Sequence, residues 1–108
     1  MSTPVQKLLR LLSADQAVEL RRAAALVLPE IAAKDEEVAQ ALQDALKDED
    51  GAVRIAAIRA IGRLHIDKAL PELLTRVQRG GEEAPPAAQA AANLGARGTK
   101  ALRELMSG

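Results

Sequence analysis

Asp35, Asp67 and Thr99 stand 32 residues apart, and each introduces a similar block. The blocks are Glu36-Glu37-Val38-Ala39-Gln40-Ala41-Leu42, Lys68-Ala69-Leu70-Pro71-Glu72-Leu73-Leu74 and Lys100-Ala101-Leu102-Arg103-Glu104-Leu105-Met106. A chain that repeats at this interval builds copies of one supersecondary unit, each unable to bury its apolar face alone, so neighbouring copies must stack. The Asp and Thr side chains are suited to accept from an unpaired amide of a first helical turn, so each block reads as a helix start. Apolar residues then recur at helical spacing, as in Val38, Leu42, Ala45 and Leu46, and in Leu70, Leu73, Leu74 and Val77.

A second series of helices interleaves with the first at an offset of 33, with Leu20-Arg21-Arg22-Ala23-Ala24 aligned on Val53-Arg54-Ile55-Ala56-Ala57. These helices are expected to end at Leu28-Pro29, Ile61-Gly62 and Leu94-Gly95, because Pro restricts the residue before it and Gly readily takes the left-handed closing conformation. Pro85 and Pro86 suit an opening turn, where a missing amide costs nothing. The fold class that follows is all-α, an α-solenoid of antiparallel helix pairs with seven helices. It forms one domain over residues 1–108: an extra helix at about 4–13, then repeats at about 16–47, 51–79 and 84–107.

Composition narrows the chemistry. The chain has no Phe, Trp, Tyr or Cys. This removes base-stacking platforms, aromatic cages, disulfides, thiolate nucleophiles and Cys-type zinc sites. The core must come from Ala, Leu, Ile and Val, which favours helices packed at close range. Fifteen Lys plus Arg balance fifteen Asp plus Glu, so no global field steers the chain to nucleic acid or to an anionic membrane. No apolar stretch approaches the roughly 20 residues of a membrane span, and no basic-then-apolar leader opens the sequence, which points to the cytoplasm.

The run from Leu46 to Gly62, Leu-Lys-Asp-Glu-Asp-Gly-Ala-Val-Arg-Ile-Ala-Ala-Ile-Arg-Ala-Ile-Gly, resembles the HEAT-like repeats also found in phycobilisome lyases. The resemblance continues into Ala69 to Leu74 and, with falling quality, over nearly the whole chain as about three and a half repeats. Leu20-Arg21 takes the Val-Arg position in the first repeat, and Pro86-Ala87, without the arginine, takes it in the third. The resemblance implies a structural pairing of Asp48 or Asp50 with Arg54. A guanidinium there can bridge turn carbonyls and carboxylates while its methylenes cover apolar neighbours.

Catalytic constellations are missing from the sequence. His65, the single histidine, lies between Leu64 and Ile66 in a loop, with none of the His-Glu pairs of HEAT-like metal enzymes. The carboxylate pairs Glu36-Glu37, Asp48 with Asp50, and Glu82-Glu83 all sit at helix starts, where the helix dipole accounts for them. Ser13 and Thr99 read as capping or turn residues, Thr3 and Thr75 as ordinary polar positions. The cluster Arg21, Arg22, Arg54, Arg59 and Arg63 raises a nucleic-acid reading, which the nearby Glu19, Glu30, Asp48, Glu49 and Asp50 weaken.

The expected function is therefore a non-catalytic scaffold with no cofactor and no metal, binding a protein or peptide. An auxiliary relative of a bilin lyase and a nucleic-acid binder are the alternatives. By resemblance, the second helix of each pair lines the inner surface. Its candidate binding face comprises Gln40, Gln43, Asp44 and Lys47, then Glu72, Arg76 and Arg79, then Arg103. The row passes from acid and amide to mostly basic. The apolar residues near both ends predict self-association or continuation into further repeats.

Overall fold

The computed structural model describes residues 3–32 and 35–107. It contains seven α-helices: α1 (Pro4–Leu11), α2 (Val18–Ile31), α3 (Glu36–Ala45), α4 (Gly51–Arg63), α5 (Leu70–Arg79), α6 (Ala84–Asn93) and α7 (Ala96–Ser107). Single 3-10 turns, Asp67–Ala69 and Gly81–Glu83, lead into α5 and α6. All seven expected helices are present, as a slab of 49 × 25 × 16 Å.

Helices α2, α4 and α6 stack side by side in one layer, with α4 in the middle. Helices α1, α3 and α5 pack onto α2, α4 and α6 respectively, and α7 closes against α6 and α5. Across the two layers the pairs are thus α1 with α2, α3 with α4, and α5 with α6. They straddle the boundaries drawn on the sequence at residues 16, 51 and 84.

Small residues set this arrangement. Ala24 and Ala25 on α2, Ala56, Ala57 and Ala60 on α4, and Ala87, Ala90 and Ala91 on α6 are all buried. Larger side chains, Leu28, Leu42, Leu46, Ile58, Ile61, Ile66 and Leu73, fill the space between the two layers and are almost wholly excluded from water. Burial of side chains this size contributes about 1.5–3 kcal/mol each before the entropy of ordering them is charged against it.

Local signals behave differently at several helix ends. Asp35 caps α3 as expected, its carboxylate accepting from the Val38 amide at 2.8 Å. Thr99 does not begin a helix: it lies inside α7, its hydroxyl donating to the Gly95 carbonyl at 3.1 Å. Thr3, taken as an ordinary polar residue, caps α1 in a reciprocal box with Gln6. Helix α2 runs past Leu28-Pro29 to Ile31, although the proline there gives up its own amide bond and crowds the carbonyl one turn back.

Gly62 does not close α4. It stays helical, and His65 takes the left-handed conformation at φ 55° instead. The Ile66 amide donates to the Ile61 carbonyl at 3.0 Å and the His65 amide to Gly62 at 3.3 Å, which is the Schellman pattern. Gly62 is needed for proximity. A Cβ there would lie 2.8 Å from the Ala90 Cα and 3.0 Å from the Ala90 Cβ.

Gly62→Ala therefore sets two effects against each other. Helix propensity favours alanine by about 1 kcal/mol, whereas forcing α4 and α6 apart costs about 1–3 kcal/mol. Both atoms it meets belong to a residue on a packed helix, so the clash prevails. Urea denaturation is expected to show a net loss of stability; a gain would mean that α4 and α6 are free to slide.

Candidate functional site

The face expected to bind is built from helices α3, α5 and α7. On α3, Gln40 donates to Asp44 at 2.9 Å, Gln43 is half-buried and donates to the Ala39 carbonyl, and Lys47 is exposed just beyond the helix. On α5, Arg79 is exposed and Glu72 half-buried, while Arg103 is exposed on α7. A groove of about 720 Å³ lies between α1 and α3. Its floor is Leu9, Leu12, Ala41 and Ala45, and its rim carries Arg10, Glu37, Asp44 and Lys47.

Arg76 does not belong to this surface. It is 5% exposed, and its guanidinium donates to the Leu46 carbonyl at 2.6 Å, to Glu72 at 3.1 Å and to Glu83. Its position after Glu72 suggested an exposed helix face. A turn rich in carbonyls and acids draws it inward, because a buried cation is tolerated only with partners around it.

Arg76 is one member of a ladder of arginines joining successive repeats. Arg21 donates to the carbonyls of Ala14 and Gln16, both at 2.9 Å, and its Nε lies 3.2 Å from the Asp48 carboxylate, although not aligned for a hydrogen bond. Arg22 makes a bidentate contact with Asp50 at 2.9 and 2.7 Å. Arg54 donates to the Asp48 carbonyl at 2.7 Å and to Glu83 at 3.2 Å.

The expected pairing of Arg54 with the carboxylate of Asp48 or Asp50 is thus shifted by one repeat. Asp48 and Asp50 of that turn each serve an arginine of α2, and Arg54 reaches forward to Glu83. Sequence reasoning had left Glu83 as a helix-start acid. The signal that marks it is its offset of 33 from Asp50. His65 is exposed and closes α4, a conformational role.

The arginine cluster on α2 and α4 is largely neutralised. Arg63 pairs with Glu30, and Arg21, Arg22 and Arg54 are engaged as above, leaving Arg59 without an ion pair among the described residues. These contacts shift protonation. The Asp50 carboxyl is held well below the usual carboxylate range, chiefly by the hydrogen bonds from Arg22, with the Val53 amide and the Arg22 charge adding and desolvation opposing. Glu30 is lowered and Arg63 raised by their mutual hydrogen bond and charge.

The sequence from residue 5 to residue 94 matches the family described as HEAT repeats. The chain is a HEAT-repeat protein. The matched span opens in α1 and ends just beyond α6, so it takes in the three helix pairs that pack together in space. The match is to HEAT repeats at large and does not single out the phycobilisome lyases. Comparison with curated proteins gives no match. Among the described residues of this HEAT-repeat protein, no group of three or more His, Asp or Glu could hold a metal ion, and no helix is long and apolar enough to cross a membrane.

Two outcomes follow from the ladder. Arg76→Ala should cost about 2–3 kcal/mol, because it leaves the buried Leu46 carbonyl without its donor and takes from Glu83 one of its two arginines, whereas Arg79→Ala, exposed one turn on, should change stability by less than about 0.5 kcal/mol. Thermal melts compare them; equal effects would place Arg76 back on the surface.

Asp50→Asn keeps a capping acceptor but loses the ion pair. Because the native carboxyl is depressed, its contribution is complete above the ordinary Asp value of about 3.9 and fades as pH falls below it. The gap in melting temperature between wild type and variant should be constant near neutrality and narrow from about pH 4 downward.

Proposed function

We propose that this HEAT-repeat protein is a non-catalytic interaction module that holds a protein or peptide segment in the groove between α1 and α3 and along the row leading to α5 and α7. The groove is the observation that carries this reading. It has an aliphatic floor and a rim of both charge signs, with Asp44 and Lys47 of the expected face on its wall. Such a site suits an extended or helical segment with a few apolar side chains and charges on both edges.

The row keeps its polarity without Arg76. Glu37 and Asp44 lie at the α1–α3 end, and exposed Arg79 and Arg103 lie on α5 and α7. A bound segment with opposite charges at its ends would be oriented by that arrangement. The lyase relation rests on the resemblance of residues 46–62, and the single histidine is occupied in closing α4. The arginine-rich face that raised nucleic acid has most of its charge answered by acids.

The test is capture of partners from a native extract with the wild-type chain and two variants. Ala41→Trp fills the groove, and Arg79→Glu reverses the row away from the buried network. Both should keep the helical circular dichroism of the wild type and lose the partners it retains, identified by mass spectrometry. Partners retained equally by both variants would sink the proposal.

A further inference from the structure

Helix α4 has a neighbour on each side. Its face toward α6 is marked by Gly62, against Ala90. At 3.6 residues per turn Val53, Ala56 and Ala60, all buried, fall on the side of α4 away from Gly62, and α2 is the helix of the same layer that packs on α4 beside α6. Helix α2 is the repeat-equivalent of α4 at an offset of 33, with Arg21 on Arg54 and Leu28 on Ile61. The equivalents of Val53, Ala56 and Ala60 are Leu20, Ala23 and Val27.

On α2 this stripe is open. Leu20 is 42% exposed, Val27 43% and Ile31, one turn further on the same face, 49%. The positions that receive a helix in α4 therefore receive none in α2 among the described residues.

The turn ahead of α2 repeats the pattern in charge. Asp48, ahead of α4, meets Arg21 from the preceding repeat. Its equivalent at offset 33 is Asp15, which is exposed and has no cationic partner among the described residues. Half of a contact that the chain completes one repeat later is thus displayed on α2: an aliphatic stripe and an acid ahead of it.

We propose that this edge of α2 docks an amphipathic helix of another protein, one presenting a small-residue stripe flanked by an arginine that reaches Asp15. The inference rests on the reading of the chain as an interaction module, but it uses a face distinct from the groove between α1 and α3. A second copy of the chain is a poor occupant. Its Arg21 and Arg22 are held by its own Asp48 and Asp50, and Glu19 and Glu30 flank the stripe with charge that an antiparallel copy would oppose with the same sign.

The probe is a synthetic peptide of residues 17–31 carrying L20Q, V27Q and I31Q, hydrocarbon-stapled on its outer face and shown to be helical by circular dichroism. It retains the Arg21, Arg22 and Ala25 side that α4 accepts. Binding to the full chain is read by fluorescence anisotropy. Saturable binding is expected, weakened about tenfold or more by Val27→Lys in the chain. Replacing the peptide arginine (R21Q) should weaken binding to the wild type and make little difference to Asp15→Asn.

No binding by the wild-type chain, or equal binding by Val27→Lys, overturns the proposal. So does sedimentation showing a dimer that Val27→Lys dissolves, since the occupant is then a second copy. Peptide binding that survives Ala41→Trp, together with loss of extract partners in that variant, separates this edge from the groove. A failure of either surface is then read independently of the other.

Discussion

Close approach between parallel layers of backbone is the constraint from which the rest of this structure follows. Alanine at the contact positions of α2, α4 and α6, and glycine at Gly62 and Gly98, bring helix axes nearer than leucine would allow. A Cβ at Gly98 would overlap the Ala91 carbonyl, so α7 lies directly on the α6 backbone. Helices this close leave no room for aromatic rings, and the absence of Phe, Tyr and Trp becomes a packing necessity within the layer. Most of the larger buried aliphatic side chains, such as Leu28, Leu42 and Leu73, lie where space is greater, between the layers.

Close layers expose a difficulty at their edges. Each turn before a stacked helix carries carbonyls with no helical partner, and an apolar stack cannot satisfy them. The arginines do so, with Arg21 on Ala14 and Gln16, Arg54 on Asp48 and Arg76 on Leu46. A guanidinium has enough donors to serve a carbonyl and a carboxylate together. The acids of the next turn then neutralise it, which is how a chain with 15 cationic and 15 anionic side chains acquires long-range order in its charges without a net field.

The helices, their number and the repeat family were legible because they depend on local spacing: capping residues, apolar periodicity and an interval that recurs. What escaped the sequence depends on contacts between repeats. Arg76 has the spacing of a surface residue relative to Glu72, and only the turn of a different repeat draws it inside. Gly62 has the composition of a helix stop, yet the neighbour that requires it, Ala90, is 28 positions away. Of the expected binding row, Gln40, Asp44, Lys47, Arg79 and Arg103 are exposed, because their surroundings are local or solvent. The groove beside them was not legible, since its width depends on how α1 and α3 are each seated on a different helix of the other layer.

Glu83 gives the molecule an unusual kind of indivisibility. Repeat proteins are commonly treated as strings of exchangeable parts, to be cut between units and joined again. Here one carboxylate in the turn before α6 holds Arg54 from α4 and Arg76 from α5. A cut at the glycine pair Gly80-Gly81, the natural seam by geometry, would take from Arg54 its carboxylate partner and leave Arg76 with Glu72 alone. The pairs Arg21 with Asp48, Glu30 with Arg63 and Arg54 with Glu83 overlap along the chain, so a cut that keeps each of these arginines with its acid falls ahead of α2 or beyond Glu83, never between the central units.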